Sequence, residues 1–164
     1  MEPQPTAEER NWAAIAHASI LVSMLVGMAT AGVGSLLLAL IPLGIYIAYR
    51  EKSRYVAYQA LQATVFQLAG LIVYVLGLIV LIVLTVAAWL IAGLLTVVLV
   101  GVLLMPVAVV VTLVLVVFAL AFPLALMGYG LYGAVETGQG KDFRYAIIGD
   151  WLDETKSSWM RTTG

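Results

Sequence analysis

Two stretches of this chain contain no Asp, Glu, Lys or Arg: one from Asn11 to Tyr49, the other from Tyr55 to Val135. No feature constrains the fold more. An apolar helix crosses the hydrocarbon core of a bilayer in about 20 residues at about 1.5 Å rise each. The 39 residues of the first stretch hold two such crossings, and the 81 of the second hold at least two with material left over. The rest of the composition agrees. Of 164 residues, 63% are hydrophobic and 10% charged, where a soluble domain carries about 25% charged residues, and the mean hydropathy is +1.08. The chain therefore reads as an all-α, polytopic transmembrane helical bundle. Its formal net charge of −1 offers no basic excess for nucleic acid, and the absence of Cys excludes disulfides and thiolate chemistry.

The punctuation predicts four spans, at about 12–29, 36–49, 68–91 and 107–135. A polar tail, residues 1–10, precedes the 11–152 membrane domain, and a second tail, 155–164, follows it. The small residues from Ala29 to Ser35 suit a turn. Pro42 predicts a kink inside the second span, because it removes a backbone donor. Ala29-Thr30-Ala31 has the look of a signal cleavage site, but Glu2, Glu8 and Glu9 oppose a basic leader, so the first span is expected to be retained. Gln59, Gln62 and Gln67 recur at near-helical spacing and predict an amphipathic lead-in from Tyr55 to Gln67. Gly93, Gly101 and Pro106 place the return bend between Gly93 and Pro106. Phe143, Ile147 and Trp151 share one helical face, which predicts a short surface helix over 143–154.

With four spans, all the cations (Arg10, Arg50, Lys52, Arg54, Lys141, Arg144, Lys156 and Arg161) fall on one side. A fifth span built from Ile91 to Met105 would send the last four across. The positive-inside rule then places both termini in the cytoplasm of a bacterial inner membrane. Trp12, Tyr46, Tyr49, Tyr55, Tyr58, Tyr129, Tyr132, Tyr145, Trp151 and Trp159 form one aromatic belt on that same side.

The candidate functional positions are few. His17, the only histidine, lies inside the first span without a carboxylate or second His for proton relay or metal binding; a hydrogen bond to Gln59 or Gln62 is the preferred reading. Gln59, Gln62 and Gln67 read as packing donors ahead of a polar conduit. Gly128, Gly130 and Gly133 match G-x-G-x-x-G, but no strand precedes them, so close helix approach replaces dinucleotide binding. Arg50, Lys52 and Arg54 form a basic cluster at the membrane edge. No catalytic constellation is visible; the expectation is a non-enzymatic protein with no cofactor and no metal, whose partners are the bilayer and other membrane subunits or further copies of itself.

Certain motifs carry a family resemblance: Asn11-Trp12-Ala13, Ala16-His17-Ala18-Ser19, Ser53-Arg54-Tyr55-Val56-Ala57-Tyr58-Gln59-Ala60, Phe66-Gln67, Tyr132-Gly133-Ala134 and Gly140-Lys141-Asp142-Phe143-Arg144-Tyr145. From Glu8 to Leu152 the chain resembles the Tic-twenty-like family of small bacterial four-helix membrane proteins, related to the chloroplast inner-envelope import component. The resemblance implies four spans, no catalysis and a channel-like or protein-translocation role. The alternative is an accessory or scaffold subunit of a larger membrane complex; a small secondary transporter is the weakest reading, lacking an inverted repeat and intramembrane charge.

Overall fold

A computed structural model describes residues 4–30 and 33–154, and these are mostly helical with no strand among them. Ala31 and Gly32 of the expected first turn lie outside the described residues, as do Glu2 and, in the tail, Lys156, Trp159 and Arg161.

Helix α1, Ala7–Ala29, starts at a capping box: Thr6 accepts from the Glu9 backbone N–H, and the Glu9 carboxylate accepts from the Thr6 backbone at 2.8 Å. The expected second span is two helices, α2 (Val33–Leu38) and α3 (Ile41–Tyr49). Pro42 does not kink a continuous helix. It sits in the first turn of α3, where its missing N–H leaves no intrahelical bond unmade. After the turn at 50–53, α4 runs unbroken from Arg54 to Leu95, so the expected lead-in and third span are one 42-residue helix.

The return bend is shorter than the sequence suggests. A 3-10 turn, Thr96–Val98, and Leu99 in the left-handed region (φ 63°) complete it, and α5 begins at Val100. A Cβ on Gly101 would collide with the Ala92 carbonyl oxygen and the Thr96 nitrogen, so glycine is what lets the two helices close so tightly. Gly93 belongs to α4, and Pro106 lies within α5, Val100–Gly138. Gly140 (φ 79°) stops α5, with its N–H bonded to the Thr137 carbonyl at 2.9 Å.

The chain divides into two compact units: unit 1, Met1–Ala69 with Leu126–Gly164, and unit 2, Gly70–Ala125. Unit 2 is an apolar hairpin. Tyr74 stacks with Phe118 and Phe122 at 5.9 and 6.0 Å, and Trp89 donates to Thr112 at 3.0 Å. The hydroxyls of Thr85, Thr96 and Thr112 return to carbonyls four residues back, and the Tyr74 hydroxyl donates to the Ala119 carbonyl. These hydroxyls are satisfied inside the hairpin while Leu, Val and Ile cover its outside, the pattern that hydrocarbon selects. Among the described residues, α4 and α5 are the two helices long and apolar enough to cross a membrane, where the sequence reading expected four spans.

Unit 1 is built the other way round. Ala13, Ala16, Val56, Ala60 and Ala63 bring backbones close together in its core, alongside buried His17, Ser19, Ser23, Gln59, Gln62 and Gln67. Trp12, Ile15, Val22 and Leu25 of α1 point outward.

Candidate functional site

The residues that sequence analysis singled out meet in the core of unit 1, together with a segment it placed elsewhere. Residues 141–145 have no regular secondary structure, and helix resumes only at Ile148. Phe143 and Tyr145 are buried (7% and 2% exposed), so Phe143 does not share a surface-helix face with Ile147 and Trp151, which are 82% and 54% exposed. A segment outside helices and strands leaves backbone groups without regular partners, and inside a protein these need partners elsewhere.

The glutamines supply them. Gln62 grips the segment with both ends of its amide: its Oε1 accepts from the Tyr145 backbone N–H at 3.1 Å and its Nε2 donates to the Phe143 carbonyl at 3.2 Å. Gln59 Nε2 donates to the same carbonyl and to Asp142 Oδ1, both at 3.1 Å. That orientation leaves Gln59 Oε1, a pure acceptor, facing His17 Nε2 at 3.1 Å, so Nε2 carries the imidazole proton. His17 Nδ1 is then an acceptor, and the Tyr145 hydroxyl donates to it at 2.9 Å. Burial pushes the Tyr145 phenol well above its ordinary pKa, which keeps that proton in place. Gln67 serves a different pair: it donates to Ser19 Oγ at 2.8 Å and accepts from Ser23 Oγ at 3.2 Å, tying α4 to α1.

Aromatic rings close the site. Tyr145 stacks on Phe66 with centroids 4.1 Å apart, and Phe143 meets His17 edge-on at 5.4 Å. The glycine motif divides in role. A Cβ on Gly133 would lie 2.8 Å from Phe143, and one on Gly130 would lie 2.9 Å from Ile20, whereas Gly128 faces open space. The basic cluster is outside this core: Arg50 pairs with Glu51 at 3.6 Å, Lys52 lies 5.7 Å from the centre of the Tyr49 ring, and Arg54 is exposed.

Among the described residues no buried side-chain polar atom lacks a partner, and no three His, Asp or Glu groups converge to hold a metal. The arrangement locks the C-terminal segment to α1 and α4. Sequence reasoning missed Tyr145 and Phe143 as members of this site. It also missed Ser19 and Ser23, whose four-residue spacing along α1 was a usable signal. The bond from Ser53 Oγ to Glu9 Oε1, 2.6 Å, also had no local signature.

An all-helical membrane protein with a fully partnered polar core is the class these features define. A family model described as the magnetosome magnetite crystal formation protein family, MamF and MmsF, matches residues 8–152, and the chain belongs to that family. This overturns the Tic-twenty-like resemblance and, with it, the protein-translocation and channel-like reading. The motifs behind that resemblance are short and mostly apolar, so they reflect shared membrane-helix chemistry as readily as descent. No curated protein and no solved structure matches the chain.

Proposed function

We propose that this protein is a non-enzymatic component of the magnetosome membrane that takes part in magnetite crystal formation as a scaffold subunit. The family match over residues 8–152 carries the reading. The distribution of charge supports a scaffold over a mineral ligand. Every charged residue lies outside 55–135, and the tip between α4 and α5, Thr96 to Leu99, is uncharged. With an even number of spans and the positive-inside orientation, both termini lie on the cytoplasmic side of the membrane. The surface turned toward the mineral compartment then holds no carboxylate to bind iron. Its influence on the crystal passes through packing with other membrane subunits or further copies, for which the exposed apolar hairpin supplies area.

The test is gene deletion in the magnetite-forming host, complementation with the full chain, and electron microscopy of crystal number and size. Changed crystals restored by the chain support the proposal; unchanged crystals after deletion refute it. Cross-linking in native membranes followed by mass spectrometry tests the scaffold role, and recovery of the chain as a lone monomer counts against it.

A further inference from the structure

Pro123 lies in the interior of α5. It has no N–H to give the Ala119 carbonyl four residues back, and its ring crowds that oxygen. A carbonyl stranded in this way inside an apolar helix needs a donor from elsewhere, because hydrocarbon supplies none. Its own helix has none to offer. From Leu113 to Gly128 no α5 residue carries a polar side chain, so the hydroxyl return made by Thr112 and Thr137 has no counterpart here.

The donor comes from α4. Tyr74 is the one polar side chain between Gln67 and Thr85, and its hydroxyl donates to the Ala119 carbonyl at 3.1 Å. Neighbouring rings hold it in place. Tyr74 stacks with Phe118 and Phe122, one turn apart on α5, with planes inclined by 25° and 6°. One turn along α4, a Cβ on Gly77 would collide with the Phe118 ring, so glycine leaves room for that ring against α4. All of these residues belong to unit 2. The one polar side chain on this stretch of α4 thus meets the carbonyl that proline strands on α5.

We propose that Tyr74 is the surrogate donor for Pro123, a clasp that holds the proline break in α5 shut against α4 and keeps the helix from swivelling at that level. The clasp concerns how the hairpin keeps its shape in lipid and does not rest on the scaffold role. A phenol that merely took the nearest acceptor would be worth the same with or without the proline. A clasp is worth most when position 123 has no N–H, and becomes redundant once one is restored.

Tyr74→Phe and Pro123→Ala, made singly and together in the full-length chain, form a double-mutant cycle that separates the two. Tyr74→Phe keeps the ring and removes only the hydroxyl. In equilibrium unfolding in mixed detergent micelles, it is expected to lower the folded-to-unfolded ratio about tenfold in the native background. In the Pro123→Ala background the fall should stay within about twofold, the restored N–H having taken over the carbonyl. An equal or larger fall there, or no fall in the native background, overturns the proposal. Hydrogen exchange followed by mass spectrometry keeps the test decisive if Pro123→Ala fails to fold. Tyr74→Phe alone should then speed exchange over residues 118–125 and leave 78–90 on the other arm unchanged. Unchanged exchange over 118–125, or acceleration spread evenly over both arms, overturns it.

Discussion

Replacing Gln62 by Leu separates a glutamine that satisfies backbone from one that only adds side-chain bonds. Leu has nearly the volume of Gln, so packing changes little, but the Tyr145 N–H loses the acceptor 3.1 Å away in a core where Gln62 is fully buried. The Phe143 carbonyl keeps Gln59 as a donor. The net loss is one orphaned buried N–H, about 1–3 kcal/mol, plus the weaker of two bonds to one carbonyl. Gln67→Leu is the internal control. Ser19 and Ser23 retain backbone acceptors, the Ala16 and Ser19 carbonyls at 2.7 and 3.2 Å, so its loss stays within about 1 kcal/mol. The assay is equilibrium unfolding in mixed detergent micelles followed by circular dichroism, with amide hydrogen exchange across residues 141–148 as the local readout. Gln62→Leu should speed exchange in that segment; Gln67→Leu should not. Equal destabilisation by the two variants, or unchanged exchange in Gln62→Leu, would falsify the view that Gln62 exists to hold the 141–145 segment.

Tyr145→Phe keeps the stack on Phe66 but leaves His17 Nδ1 without its donor, and should cost about 1 kcal/mol in the same unfolding assay; no measurable loss would contradict the tautomer assigned to His17. Gly133→Ala should destabilise by about 1–3 kcal/mol by driving a methyl group into Phe143, while Gly128→Ala, facing open space, should be neutral or slightly stabilising. The Glu9 carboxyl is held below its ordinary value first by the Ser53 hydroxyl and then by Thr6. Its folded-state pKa is depressed, so its contribution is present above about pH 4.5 and fades as pH falls through the lower folded value. Ser53→Ala should flatten that acid limb of stability, and an unaltered pH profile would show that the bond has no such effect.

Much of the fold was legible because its signals are local. Charge-free runs of membrane length, glycines at close approaches and a glutamine every few residues can be seen without knowing where any helix goes. Some local readings still misled. Pro42 looked like a kink and is a helix start, and Gly93 and Pro106 looked like bend residues and are helical. A proline or glycine states what the backbone tolerates; its neighbours decide what is done with it. The surface helix starts later than expected, at 148, for a different reason: Phe143 fits an amphipathic pattern equally well, but it packs between His17 and Gly133 instead.

Sequence by itself determined that the protein is a membrane protein, that residues 11–49 and 55–135 carry no charge, and that His17 has polar company on α4. These follow from transfer free energies and helical periodicity, which act over a few residues. Only the tertiary structure decided that Gln59 and Gln62 serve the backbone of the 141–145 segment. It alone also decided that Tyr145, 128 residues away in sequence, completes the His17 hydrogen bonds, and that Asp153 meets Tyr58 of α4. Those are meetings between distant segments, selected by the cost of leaving a buried polar group unpaired, and no local pattern records which partner will pay it.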